Sequence, residues 1–114
     1  MSDKSLPPAP LGEFEQLVLL AVLQAGASAY GAVIQREIET RTGREAALGA
    51  VYTTLLRLEA KDLVASRVGE PLPERGGRRR KYYRVLPAGI RHLEASLAAL
   101  RRMAAGLPSP LELP

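Results

Sequence analysis

"ERGGRRRKYYRV", Glu74 to Val85, is the stretch on which the reading of this chain turns. Two glycines lead into four consecutive cations, Arg78, Arg79, Arg80 and Lys81, and two tyrosines follow. Taken alone it is a solvated charge run, and a nuclear-localisation signal is a second reading of the same residues. The flanks separate these readings from a third. "LVASRVGE" and "KYYRVL" are rich in the residues of short strands, expected over Leu63–Gly69 and Lys81–Leu86. The intervening "EPLPERGGRRR" holds prolines and glycines that preclude regular structure and supply a long hairpin loop. A localisation signal leaves the strands unexplained, whereas a β-hairpin with a cationic tip accounts for the whole segment. Strand alternation puts Tyr83 with Val85 toward the core and leaves Tyr82 as a candidate partner contact.

Upstream, the apolar spacing is helical. "LGEFEQLVLLAVLQAG" predicts a first helix over Glu13–Gln24, with acids in its first turn, Gly26 beyond its end and almost no polar face after the first turn. "SAYGAVIQREIETRTG" predicts a second helix over Tyr30–Arg41, with Ser28 a candidate cap and Gly43 a stop. "ALGAVYTTLLRLEAKDL" predicts a third over Leu48–Lys61, with Leu48, Val51, Leu55 and Leu58 as one buried stripe. The opposite face carries Gly49, Ala50, Thr53, Thr54, Arg57 and Lys61. After the hairpin, "PAGIRHLEASLAALRRMAAG" predicts a fourth helix from Pro87 to Gly106. Its Ile90, Leu93, Leu97 and Leu100 form a two-heptad seam that continues to Met103.

Bulk properties agree with one small domain. The chain has 114 residues, 46% hydrophobic and 25% charged, ordinary for a globular protein with a modest core. It has no cysteine, which excludes disulfides and thiolate chemistry. The opening "MSDKSLPPAP" lacks the apolar core of a signal peptide, and Leu17–Leu23 is too short to span a bilayer, so a cytoplasmic location without membrane partners is expected. Charge is uneven. Residues 1–74 hold seven Lys/Arg against ten Asp/Glu, and residues 75–114 hold nine against two, with a total of +4. Such asymmetry points to a localised anionic partner.

Three helices followed by a basic hairpin form the order of a winged helix. The major groove admits one helix, so a reading helix keeps an apolar side for its own core and a slim polar side for base edges. The third helix meets both demands: Gly49 and Ala50 permit close approach, Thr53 can bond bases or phosphates, and Arg57 and Lys61 can reach the backbone. An ordinary amphipathic helix of a small bundle is the plainer reading, and the adjacent hairpin cations weigh against it. Tyr52 lies beside the buried stripe, either donating its hydroxyl to a phosphate or covering the core edge. The lone histidine, His92, is expected at the surface or in an interface, and no catalytic, cofactor or metal motif is present.

"GAVYTTLLRLE" and "RGGRRRKYYRVLPAG", with the segments before and after them, resemble the PadR family of transcriptional regulators from about Leu11 to Leu100. The resemblance implies a dimeric winged-helix repressor of short form, without a large C-terminal domain. It implies that Gly49, Ala50, Tyr52, Thr53 and the wing cations approach DNA. Tyr30 and Gly31 match the family's usual His-Gly, with tyrosine in place of histidine.

The expected architecture is therefore mainly α with a small β-hairpin. It comprises a flexible arm over 1–11, a winged-helix DNA-binding domain over 12–86, a dimerisation helix over 87–106 and a flexible tail over 107–114. Expected DNA contacts are Tyr30, Gly49, Ala50, Tyr52, Thr53, Arg57, Arg78, Arg79, Arg80 and Lys81. Expected dimer contacts are Leu17, Ile90, Leu93, Leu97, Leu100 and Met103, and any small-molecule effector would enter at that interface. The expected partner is double-stranded DNA, bound at a near-palindromic operator. The alternative is a winged helix used only for protein–protein interaction.

Overall fold

The computed structural model describes residues 10–71 and 79–108. Helix α1 covers Glu13–Ala25, and a 3₁₀ turn at Gly26–Ser28 leads to α2, Gly31–Thr42. Helix α3, Leu48–Ala60, is followed by strands β1, Val64–Pro71, and β2, Arg79–Val85, and then by α4, Pro87–Ala104. The strands pair antiparallel, with Val64 opposite Val85, Ser66 opposite Tyr83 and Arg67 opposite Tyr82. The expected fold class is thus observed: a mainly helical chain with a two-stranded wing.

Local chemistry sets most of the helix ends. Glu15 Oε1 accepts the Gly12 N–H at 2.9 Å and so closes the first turn of α1. Gly43 adopts φ 73° and donates its N–H to the Glu39 carbonyl at 2.9 Å, which stops α2. Ser28 does not cap α2, contrary to expectation. It lies in the 3₁₀ turn, and Tyr30 stands at the cap position in an extended conformation, without a side-chain cap. The start of α2 is set instead by a bridge between Tyr30 and Tyr82 of β2.

The core gathers one face from each helix and the inner face of the wing. Val18, Leu19, Ile34, Val51, Leu55, Leu58 and Val64 are almost wholly buried, with Leu63, Tyr83 and Leu93 beside them. Leu11, assigned to the arm, is also buried, so ordered packing begins there. Two positions of α3 depart from the expected stripe. Leu48 is exposed and Thr54 is 5% exposed, because the inward stripe runs Val51–Thr54–Leu55–Leu58 and the first turn projects past the core. The strands are also longer than expected. Glu70, Pro71, Arg79 and Arg80, read as loop, lie in the strands, and Pro71 pairs with Arg79 beyond an irregularity between Val68 and Pro71. Pro71 is tolerated because β1 is an edge strand.

Two close approaches tie the ends of this core together. Leu86 donates its N–H to the Leu63 carbonyl at 2.9 Å as the chain turns from β2 into α4. Gly89, one turn on, packs against the same carbonyl, and a Cβ there would also stand 2.7 Å from Val85 Cγ1. On the other side, Glu15 is 8% exposed and receives Lys61 Nζ at 3.0 Å, linking the start of α1 to the end of α3. Burial pushes the Glu15 carboxyl upward, but the Gly12 N–H, the Lys61 hydrogen bond and the Lys61 and Arg57 charges outweigh it. The net shift is below the ordinary 4.5.

Three outcomes are expected. Gly89→Ala forces a methyl into backbone and should lower unfolding free energy by about 1–3 kcal/mol in a urea melt. Gly49→Ala, where a Cβ meets nothing, should leave stability at or slightly above the parent's. Because the folded-state pKa of Glu15 is depressed, its stabilisation is present above 4.5 and lost as pH falls through the folded value. Glu15→Gln should therefore cost about 1–2 kcal/mol at pH 7, discounted for the half-exposed Lys61, and less at pH 3, as followed by thermal melts.

Candidate nucleic-acid interface

The outward side of α3 is small at its start and polar beyond. Gly49, Ala50, Thr53 and Arg57 are exposed there, and Tyr52 is 42% exposed. Tyr52 both covers the edge between α2 and α3 and faces solvent. Its ring lies across Gly31 at the start of α2, where a Cβ would stand 2.5 Å from Tyr52 Cζ, yet nearly half of the side chain faces solvent. Gly31 thus lets the two helices of the helix-turn-helix meet closely, and Tyr52 carries the surface of α3 across to the α2 terminus.

From there the surface continues into the wing through an aromatic and cationic stack. Arg80 Cζ lies 4.2 Å from the centroid of the Tyr30 ring. Tyr30 meets Tyr82 edge to face, with centroids 5.7 Å apart and planes at 80°. Arg67 Cζ lies 4.6 Å from the centroid of Tyr82. The backbone holds this arrangement: Tyr83 donates its N–H to the Ala29 carbonyl at 2.8 Å, beside the Tyr30–Tyr82 bridge. Gly69 gives Tyr82 room, since a Cβ there would stand 2.5 Å from Tyr82 Cε2.

The inner face of the wing is braced on the end of α3. Glu59 Oε2 accepts the Ser66 hydroxyl at 2.6 Å, and Glu59 Oε1 lies 3.8 Å from Lys81 Nζ. Lys81 also stands 5.8 Å from the Tyr83 ring centroid, so this cation is engaged with its own fold as well as exposed. Burial first, then the Glu59 carboxylate and Tyr52, push the Tyr83 phenol above its ordinary 10.0 and keep it neutral. Lys61, expected to reach a backbone, is occupied by Glu15.

Arg79 is exposed at the start of β2, Arg80 is half-buried in the stack, and Arg78 lies outside the described residues. Arg67 was not anticipated as part of this surface. Its position opposite Tyr82 follows from strand register, which the unequal loop arms conceal in the sequence.

The expected dimer residues divide along α4. Leu93 is buried in the chain's own core, and Ile90 and Leu97 are half-buried, as is Leu17 of α1. Leu100 is 62% exposed and Met103 82% exposed, beyond the reach of the core. His92 is half-buried on the same helix, with Nδ1 making no hydrogen bond to the described residues. Among the described residues no helix is long and apolar enough to cross a membrane.

Comparison with known proteins follows the same outline. No curated protein matches the sequence. A PadR family transcription regulator from Clostridium difficile R20291 superposes with a TM-score of 0.67 at 26% identity, covering 81% of this chain and 91% of that one. A PadR family transcriptional regulator from Eggerthella lenta DSM 2243 gives 0.64 at 28% identity, covering 82% and 81%. A transcriptional regulator from Clostridium thermocellum gives 0.65 at 23% identity, covering 79% and 84%, a likeness of fold. The family model described as the transcriptional regulator PadR-like family matches residues 19–95. Its members are regulators of transcription rather than enzymes, and this chain belongs to that family.

Proposed function

We propose that the protein is a repressor that binds a near-palindromic operator in double-stranded DNA as a homodimer, in the cytoplasm. The observation that carries this reading is one continuous surface. It begins at the small, open face of α3 with Gly49, Ala50 and Thr53, crosses Tyr52 and Gly31, and reaches the cations of the wing strands. A groove-reading helix needs a slim face with few bulky groups, and a wing needs charge beside it for the phosphates. Thr53 and Ala50 would face base edges, with Tyr30, Tyr52, Arg57, Arg79 and Arg80 on the backbone. Lys81 serves more weakly, since Glu59 draws it inward.

The exposed apolar end of α4 supports the homodimer in this reading. Residues 87–106 act as the dimerisation helix for the DNA-binding unit over 12–86. The apolar side chains of Leu100 and Met103, left open in one chain, would be covered by a second copy, with Leu17 and Leu97 at the margin. A two-fold dimer brings two reading helices to successive major grooves, which is why the operator would be palindromic. Occupancy of such a site represses by excluding other proteins, and a small-molecule effector would act from the dimer interface.

Selection of bound duplexes from a random pool should return an inverted repeat with half-sites spaced by about one helical turn. Recovery of no duplex at low salt would overturn the DNA-binding reading. Thr53→Val should change the selected half-site, whereas Arg79→Ala should weaken all duplexes alike. Leu100→Glu should leave the fold intact and sediment as a monomer. Operator affinity should then fall by at least about tenfold, since the two half-sites no longer act together.

A further inference from the structure

The outer face of the wing carries two guanidinium groups held in an unusual way. Arg80 lies on the face of Tyr30 and Arg67 on the face of Tyr82, and the two rings meet edge to face. No ion pair joins either arginine to a carboxylate among the described residues, although Arg41, Arg44, Lys61 and Lys81 each have one. Glu70 lines the same open groove between wing and helix-turn-helix, along with Ser28 and Val33, but pairs with neither.

The choice of partner has a chemical consequence. A carboxylate would cancel the charge of an arginine and occupy its N–H donors. An aromatic face fixes the plane of the guanidinium while leaving both the charge and the edge donors for an outside acceptor. That planar fork matches the two oxygens of a phosphodiester. Stacking also orders the side chain before any ligand arrives, so less rotamer freedom is lost on binding. The rings are themselves fixed: Tyr30 by its bridge to β2, and Tyr82 by contact with Gly69.

We propose that Arg67 and Arg80, seated on Tyr82 and Tyr30, form a preset two-arginine clamp for one DNA strand's phosphate backbone. Arg67, on β1, is its new member. The clamp lies along the paired strands beside the start of α2, where the surface of α3 passes through Tyr52 and Gly31 into β2. It binds independently of base sequence and rests on the DNA-binding reading above. Its geometry distinguishes it from diffuse attraction: a lysine at position 67 keeps the charge but lacks the planar fork.

The test titrates the parent, Arg67→Ala and Arg67→Lys with two fluorescent duplexes across a sodium chloride series. One duplex is a selected sequence and the other is unrelated. Far-UV circular dichroism melts of each protein run alongside, and the exposed position of Arg67 makes folding of both variants the expected result. Arg67→Ala should weaken both duplexes by the same factor, about tenfold, as for one lost charge-assisted hydrogen bond. Its log–log salt slope should fall by about 0.9. Arg67→Lys should remain several-fold weaker than the parent. Parental affinity and slope in Arg67→Ala overturn the clamp while leaving the DNA-binding reading intact. Full recovery in Arg67→Lys replaces the clamp with plain charge. A parent that binds neither duplex overturns both readings.

Discussion

The structure depends on a short length of backbone pairing between the helix-turn-helix and the wing. Tyr83 donates its N–H to the Ala29 carbonyl, and Tyr30 bridges Tyr82. A two-stranded hairpin is marginal in water by itself. Here β2 pairs with β1 on one side and meets the entry to α2 through an isolated bridge on the other, so the wing is held against the helix-turn-helix. The same contact serves α2, which begins without a side-chain cap and takes its starting geometry from an extended Tyr30. One pairing therefore sets both the direction of α2 and the position of the wing. The surface from α3 through Tyr52 to Arg80 exists because these two elements cannot shift separately.

Charge is used in two ways on this framework. Acids brace the interior side: Glu15 holds Lys61 and the first turn of α1, and Glu59 holds Ser66 and Lys81. The two ion pairs, Glu15–Lys61 and Glu59–Lys81, join elements distant in sequence and engage their cations in the fold. On the outward side, Arg67 and Arg80 are held by tyrosine rings instead, which orders them without neutralising them. The cations that look equivalent in a charge count thus divide into structural and available groups. Lys61 and Lys81 lean to the first, and Arg57, Arg67, Arg79 and Arg80 to the second.

The sequence was most informative where local rules govern. Helix positions followed from apolar spacing, with ends set by Gly26, Gly43 and Pro87, and Tyr83 was placed inward by alternation with Val85. It was less informative where a residue's neighbour comes from elsewhere in the chain. Ser28 has the chemistry of a cap, but strand pairing moved the start of α2 past it. Leu48 fits the apolar period of α3 but lies beyond the last core layer, and Thr54 takes the inward position instead. Leu93 and Leu100 share one seam, yet the end of the globule falls between them, burying the first and exposing the second.

The amino-acid sequence by itself determined the element order, the basic hairpin and the slim face of α3, because these rest on periodicity, turn chemistry and composition within one segment. Only the tertiary structure decided which cations remain available, since that depends on partners brought together by register. Arg67 shows the difference most clearly. In the sequence it is one cation in a short strand. Opposite Tyr82 it is a guanidinium fixed by an aromatic face, because antiparallel pairing puts directly opposed residues on the same side of the sheet.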